Sequence, residues 1–121
     1  MTQKMSSEFV RAQIEKSLEL LASGAADQVR VLERAGVAPS ADELALALDD
    51  FIGMLSAAVR DGVLSESQAA AIQQVNDFTG SFSGQENAPL WHVDQVGSAA
   101  QWNEVRRLAR GALQRLRGEA E

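Results

Sequence analysis

Apolar positions recur at steps of three and four residues through four stretches of the chain, and no stretch alternates Val, Ile or Thr with polar residues as a strand does. The first stretch begins at Ser6 or Ser7. Its stripe of Val10, Ile14, Leu18, Leu21, Ala25, Val29 and Leu32 predicts one helix over 7–35 that stops at Gly36. Gly24 is the weak point within it, costing about 1 kcal/mol relative to alanine, and the alternative is two helices divided there. Pro39-Ser40-Ala41-Asp42-Glu43 sets a capping serine three residues ahead of a glutamate and predicts a second helix over 41–61. Leu44, Leu48, Phe51, Leu55 and Val59 form its buried face, and Gly62 with Val63-Leu64 closes it.

Ser65 and Gln68 repeat the capping pattern for a third helix over 66–78, joined to the second by so short a link that the two form a hairpin. The glycine- and serine-rich stretch 79–88 reads as a loop. Pro89 then opens a short helix near 89–96, Gly97 stops it, and Ser98 caps a last helix over 99–117. That helix carries Trp102, Val105, Ala109, Ala112 and Leu116 on one seam. The expected fold is all-α, a compact four-helix bundle with a short fifth helix near 89–96, in a single domain over 1–121. A chain of this length buries enough surface for a core without disulfides or metals.

The first helix carries more apolar surface than one neighbour needs. Phe9, Leu20 and Val31 stand eleven residues apart and recur at nearly one angle, away from the main stripe. Such a line serves either a second neighbour within the monomer or a homodimer through the first helix.

Charge is unevenly spread. Residues 1–36 are balanced, residues 37–98 hold Arg60 against nine acids, and residues 99–121 hold five arginines against three acids. Glu43, Asp50 and Asp61 fall on one flank of the second helix, and Arg106, Arg110 and Arg117 on one flank of the last. Both rows read as solvated flanks that partly face each other. The acidic middle would also suit a basic partner, as in an acidic inhibitor or immunity-type protein that covers a basic enzyme.

Composition narrows the chemistry. There is no cysteine, so no thiolate metal site or cysteine nucleophile, and one histidine, His92, so no polyhistidine site. Ser81, Ser83, His92 and Asp94 lie close in sequence, but Gly80-Ser81-Phe82-Ser83-Gly84 lacks the central serine and the preceding strand of a nucleophile elbow. Glu15 and Glu19 have no Glu-x-x-Asp partner for a carboxylate-bound Mg²⁺, and both lysines, Lys4 and Lys16, precede every glycine, so no P-loop exists. The third helix contains no Arg or Lys to meet phosphate, which argues against nucleic acid. Leu44 to Leu48, the densest apolar run, is far short of the roughly 18 residues of a membrane span.

The first residues run straight into a charged amphipathic pattern without a signal-peptide core, so the expected location is cytoplasmic. Arginine outnumbers lysine nine to two and alanine fills 20 positions, a bacterial usage. Trp91 reads first as a plug for the end of the core and second as an anchor for a ligand or partner; His92 reads as a surface histidine. The expected function is a non-enzymatic protein acting through protein–protein interaction, without cofactor. Phe9, Leu20, Val31, Glu43, Asp50, Asp61, Trp91 and His92 are its candidate contact residues. The alternative is a small-molecule sensor or enzyme with a pocket beside Trp91 and His92.

Overall fold

Helix α1 (Ser7–Ala22) starts at Ser6, whose hydroxyl accepts from the Phe9 backbone N–H at 3.1 Å. This is seen in a computed structural model that describes residues 6–36 and 40–118. Val10, Ile14, Leu18 and Leu21 are buried along α1 as the spacing predicts. The single helix expected through Gly24 is instead two. Ser23 and Gly24 are extended, and α2 (Ala25–Ala35) begins afterwards, ending at Gly36 in the left-handed region (φ 73°).

The cause of the break lies downstream. The Gln28 side-chain amide donates to the carbonyls of Leu20 and Leu21, each at 3.0 Å. Those are the acceptors that the N–H groups of residues 24 and 25 would use in a continuous helix. The Ser23 N–H and hydroxyl also turn back to Leu20. With its last carbonyls already satisfied, α1 can stop.

The second expected helix is also divided. Helix α3 (Asp42–Ile52) gives way at Gly53–Met54 to α4 (Leu55–Arg60), with the Met54 N–H reaching back three residues to Phe51 at 3.0 Å. Gly53 is the residue there with least helix preference, and the tightened turn still places Leu55 and Ala58 in the core. The capping serine is displaced too. Ser40 accepts from the Asp42 N–H at 3.2 Å, but the residue at the cap position is Ala41, and Ser40 pairs antiparallel with His92 in an isolated bridge. The adjoining Ala41 N–H donates to the Trp91 carbonyl at 2.7 Å. Tertiary pairing has outbid the local capping box. Pro39 lies outside the described residues.

Gly62 ends α4 with φ 77°; its N–H meets Val59 at 3.0 Å and the Val63 N–H meets Ala58 at 2.9 Å, the paired bonds of a Schellman stop. Gly62→Ala is therefore expected to cost about 1 kcal/mol, read as a lower urea midpoint with an unchanged slope.

Helix α5 (Glu66–Ser81) has both arms of the predicted capping box, Ser65 with Gln68. The Gln68 amide also donates to the Arg115 carbonyl at 3.1 Å, tying the start of α5 to the end of the last helix. α5 outruns its expected end at 78, because Thr79 and Phe82 are buried and carry it on. The stretch 79–88 is not all loop: a 3₁₀ turn occupies Gln85–Trp91, with Pro89 inside it rather than opening a helix, and a second occupies Val93–Gln95. His92 between them is extended, so the short helix expected near 89–96 is two turns around a kink.

Helix α6 (Ala100–Gly118) buries Trp102, Val105, Ala109, Ala112 and Leu116, the predicted seam. It packs on α1 and α5, while α1 also packs on α3. The described residues are helical, with no strand among them.

The arginine flank of α6 therefore meets the first helical segments, not the acidic flank. Arg117 pairs with Glu15 at 2.9 Å and with Glu19, contacts that raise its pKa, the Glu15 hydrogen bond most. Arg110 donates to the Ala22 carbonyl at 3.0 Å. Arg106 is no surface residue at all: it is buried, and donates to Gln28 and to the Val96 carbonyl at 2.8 Å each, and to Asn103. Arg110 is exposed and its acceptor is a helix-end carbonyl that water can also reach. Arg110→Ala is expected to change stability by no more than about 1 kcal/mol, checked by thermal melting.

Candidate functional site

Two helix faces leave an open groove between them. One wall is α3, with Asp42, Ala45, Leu46 and Asp49 at three- and four-residue spacing. The other is the last half of α5, with Asn76, Thr79 and Gly80 at the same spacing. The strap Ser83–His92 closes one end, and the groove encloses about 960 Å³. Asn76 donates to Asp49 at 3.2 Å at one end, and at the other Ala41 meets Trp91, whose ring stacks on Phe82 at the end of α5, so α3 and α5 run antiparallel along the groove.

The strap owes its position to aromatic packing. Phe82, Trp91 and Trp102 form a triangle with ring centroids 5.0–5.5 Å apart. The Trp102 indole N–H donates to the Leu90 carbonyl and that of Trp91 to the Phe82 carbonyl, each at 2.8 Å. Trp91 thus both plugs the end of the core and lines the groove; its donor is already used, so it offers the groove a ring surface only. His92 Nδ1 accepts from the Asp94 N–H at 3.1 Å and lies 3.4 Å from that carboxylate, which leaves Nε2 as its other polar atom.

Ala45, Gly80, Ala88 and Pro89 give the lining small apolar surface beside Trp91, and Leu46 stands 46 % exposed on the wall. The rim is acidic. Asp42 and Asp49 line it, and no Lys or Arg does among the described residues.

Of the eight candidate contact residues, only Trp91 and His92 reach this groove. Glu43 and Asp50 are exposed on α3 away from its lining, and Asp61 lies beyond the break, at the end of α4, accepting from the Ser7 hydroxyl at 2.6 Å. The three do not share one helix flank. Phe9 and Val31 are exposed, Leu20 is half-buried against the core, and the break at Gly24 puts Val31 on a different helix from the other two. Phe9 instead meets Phe51 edge-on, with ring centroids 6.5 Å apart.

Asp42, Leu46 and Asp49 were missed, although a signal was present. In Leu44-Ala45-Leu46-Ala47-Leu48, Leu46 cannot share the face of Leu44 and Leu48, and its own face carries the two aspartates.

The geometry also bears on catalysis. The Ser81 and Ser83 hydroxyls donate to carbonyls three residues back, at 2.6 and 2.8 Å, and among the described residues no hydrogen bond joins either to His92. No group of three acidic or histidine side chains converges as a metal site among the described residues. No helix of the described residues is long and apolar enough to cross a membrane. No family model, curated protein or solved structure was found to match this chain.

Proposed function

We propose that this chain is a non-enzymatic protein-binding module and that the groove between α3, α5 and the strap is its docking surface. Taken as packing units, α1, α3 with α4, α5 and α6 make the four-helix bundle we infer, with α2 and the strap laid across it. The observation that carries the reading is Leu46: a large apolar side chain held out to water on a concave wall, between two carboxylates with no Lys or Arg among the described lining residues. A basic protein partner fits that surface, consistent with an acidic inhibitor acting in the cytoplasm, and its capture should weaken as salt rises.

Leu46→Glu tests the reading, since the position is exposed enough to accept the change without unfolding. A partner captured from lysate of the source organism by the wild type and by Glu33→Gln, but lost with Leu46→Glu, supports docking in the groove. Capture equal for all three overturns it.

A second reading has its own support. The groove volume of about 960 Å³ is at the upper end for small-molecule sites, and Trp91 offers a ring face to stack on. Reproducible thermal stabilisation by a metabolite, absent in Leu46→Glu, would favour a sensor over a protein-binding module.

A further inference from the structure

We infer that the occupant of the groove is an amphipathic α-helix of a partner protein, carrying basic residues two turns apart on either side of a row of small apolar ones. The inference rests on the protein-binding reading above and names its partner.

Both long walls are helix faces. Residues 42, 45, 46 and 49 on α3 and 76, 79 and 80 on α5 recur at the helical spacing, and the two helices are antiparallel, so the cleft between them is the slot into which a further helix packs. A peptide bound by strand addition would need an open strand edge to pair with, and none exists among the described residues.

The charges give the register. Asp42 and Asp49 are seven residues apart on one face, which is two turns and about 10 Å along the axis. A helix lying along α3 meets both with side chains that are themselves seven apart. Its cations would find no competing Lys or Arg among the described lining residues.

The small residues give the depth. A methyl group added at Gly80 would have nothing within 4 Å, and Gly80 lies inside α5 without a left-handed φ. Among the described residues neither packing nor backbone conformation calls for glycine there, while alanine is the better helix former. The absent side chain leaves room on the groove wall for the backbone of an incoming helix.

The test is a phage-displayed library of helix-biased random peptides of about five turns, selected on the intact protein and sorted by loss of binding to Leu46→Glu. Groove-dependent winners should carry Lys or Arg at a spacing of seven. A synthetic winner should bind Asp49→Lys about tenfold more weakly at low salt, and changing its facing Lys to Glu should restore binding to that variant. Gly80→Ala should melt no lower than the wild type yet bind the peptide more weakly.

Winners that depend on Leu46 but lack the basic pair and ignore Asp49→Lys overturn the cationic-helix inference and leave the docking reading standing. Selection that yields no Leu46-dependent peptide overturns both. A wild-type dimer in light scattering that Leu46→Glu converts to a folded monomer makes a second copy the occupant, and also overturns the inference.

Discussion

Trp102→Ala is expected to destabilise the protein by about 3–5 kcal/mol, the largest effect of any single change considered. Trp102 is fully buried, so truncation leaves a cavity that the neighbouring rings cannot fill without moving. It also removes the edge-on contacts with Phe82 and Trp91 and the hydrogen bond to the Leu90 carbonyl. The loss should fall unevenly. The strap 83–92 hangs on this triangle, so the groove end should loosen before the α1–α6 contact does. Trp91 is then the sole tryptophan, and its emission reports on the strap directly. In a urea titration, a red shift preceding the loss of far-UV helix signal is the expected sequence. Coincident transitions would show that the strap and the helices unfold as one unit. Trp102→Phe keeps most of the ring volume and should lose appreciably less.

Gln28→Leu is expected to cost about 2–4 kcal/mol, although it replaces a buried polar residue with an apolar one of similar size. The amide serves two clients. It donates to the last carbonyls of α1 and accepts from Arg106, whose other acceptors are the Val96 carbonyl and Asn103. Burial, and then the charge of Arg110, lower the Arg106 pKa, but a guanidinium stays charged in a protein. Removing Gln28 leaves that cation short of an acceptor. The measurement is chemical denaturation alongside amide exchange. Faster exchange confined to α2 at modest global loss would place the damage at the α1–α2 junction, since α2 buries only Gln28 and Leu32. Gln28→Leu combined with Arg106→Met should recover part of the deficit, because both partners of the bond are then apolar. A double variant as unstable as the sum of the singles would show that the two residues act independently.

These residues also mark where the sequence could be read and where it could not. The Ser65–Gln68 cap and the Gly62 stop were legible because each depends on partners within a few residues, and the α6 seam because its spacing alone puts those residues on one helix face. At Gly24 the sequence marks the weak point and leaves a break open as the alternative, but it does not decide for the break, because the group that ends α1 is a side chain from the following helix. The Ser40–Glu43 pattern was a valid local signal overridden by the pairing of residues 40 and 41 with 91 and 92. Periodicity placed Arg106 on a flank, but it cannot say which neighbour will cover that flank. At the groove, Trp91 and His92 stood out as unusual residues in an unusual place. Asp42, Leu46 and Asp49 share a helical face in the sequence, and that face acquires meaning only when the end of α5 passes beside it.

The central position of α1 has a consequence for synthesis. Its stripe of Val10, Ile14, Leu18 and Leu21 is covered by α3 on one side and α6 on the other, so the helix made earliest among those described finds its last cover in the one made latest. At translation rates of about 5–20 residues per second, that stripe waits on the order of ten seconds for α6 to emerge. During that interval the nascent chain presents an apolar helix to whatever surrounds the ribosome. The interlock of its early and late helices makes this a fold that cannot close until α6 has been made.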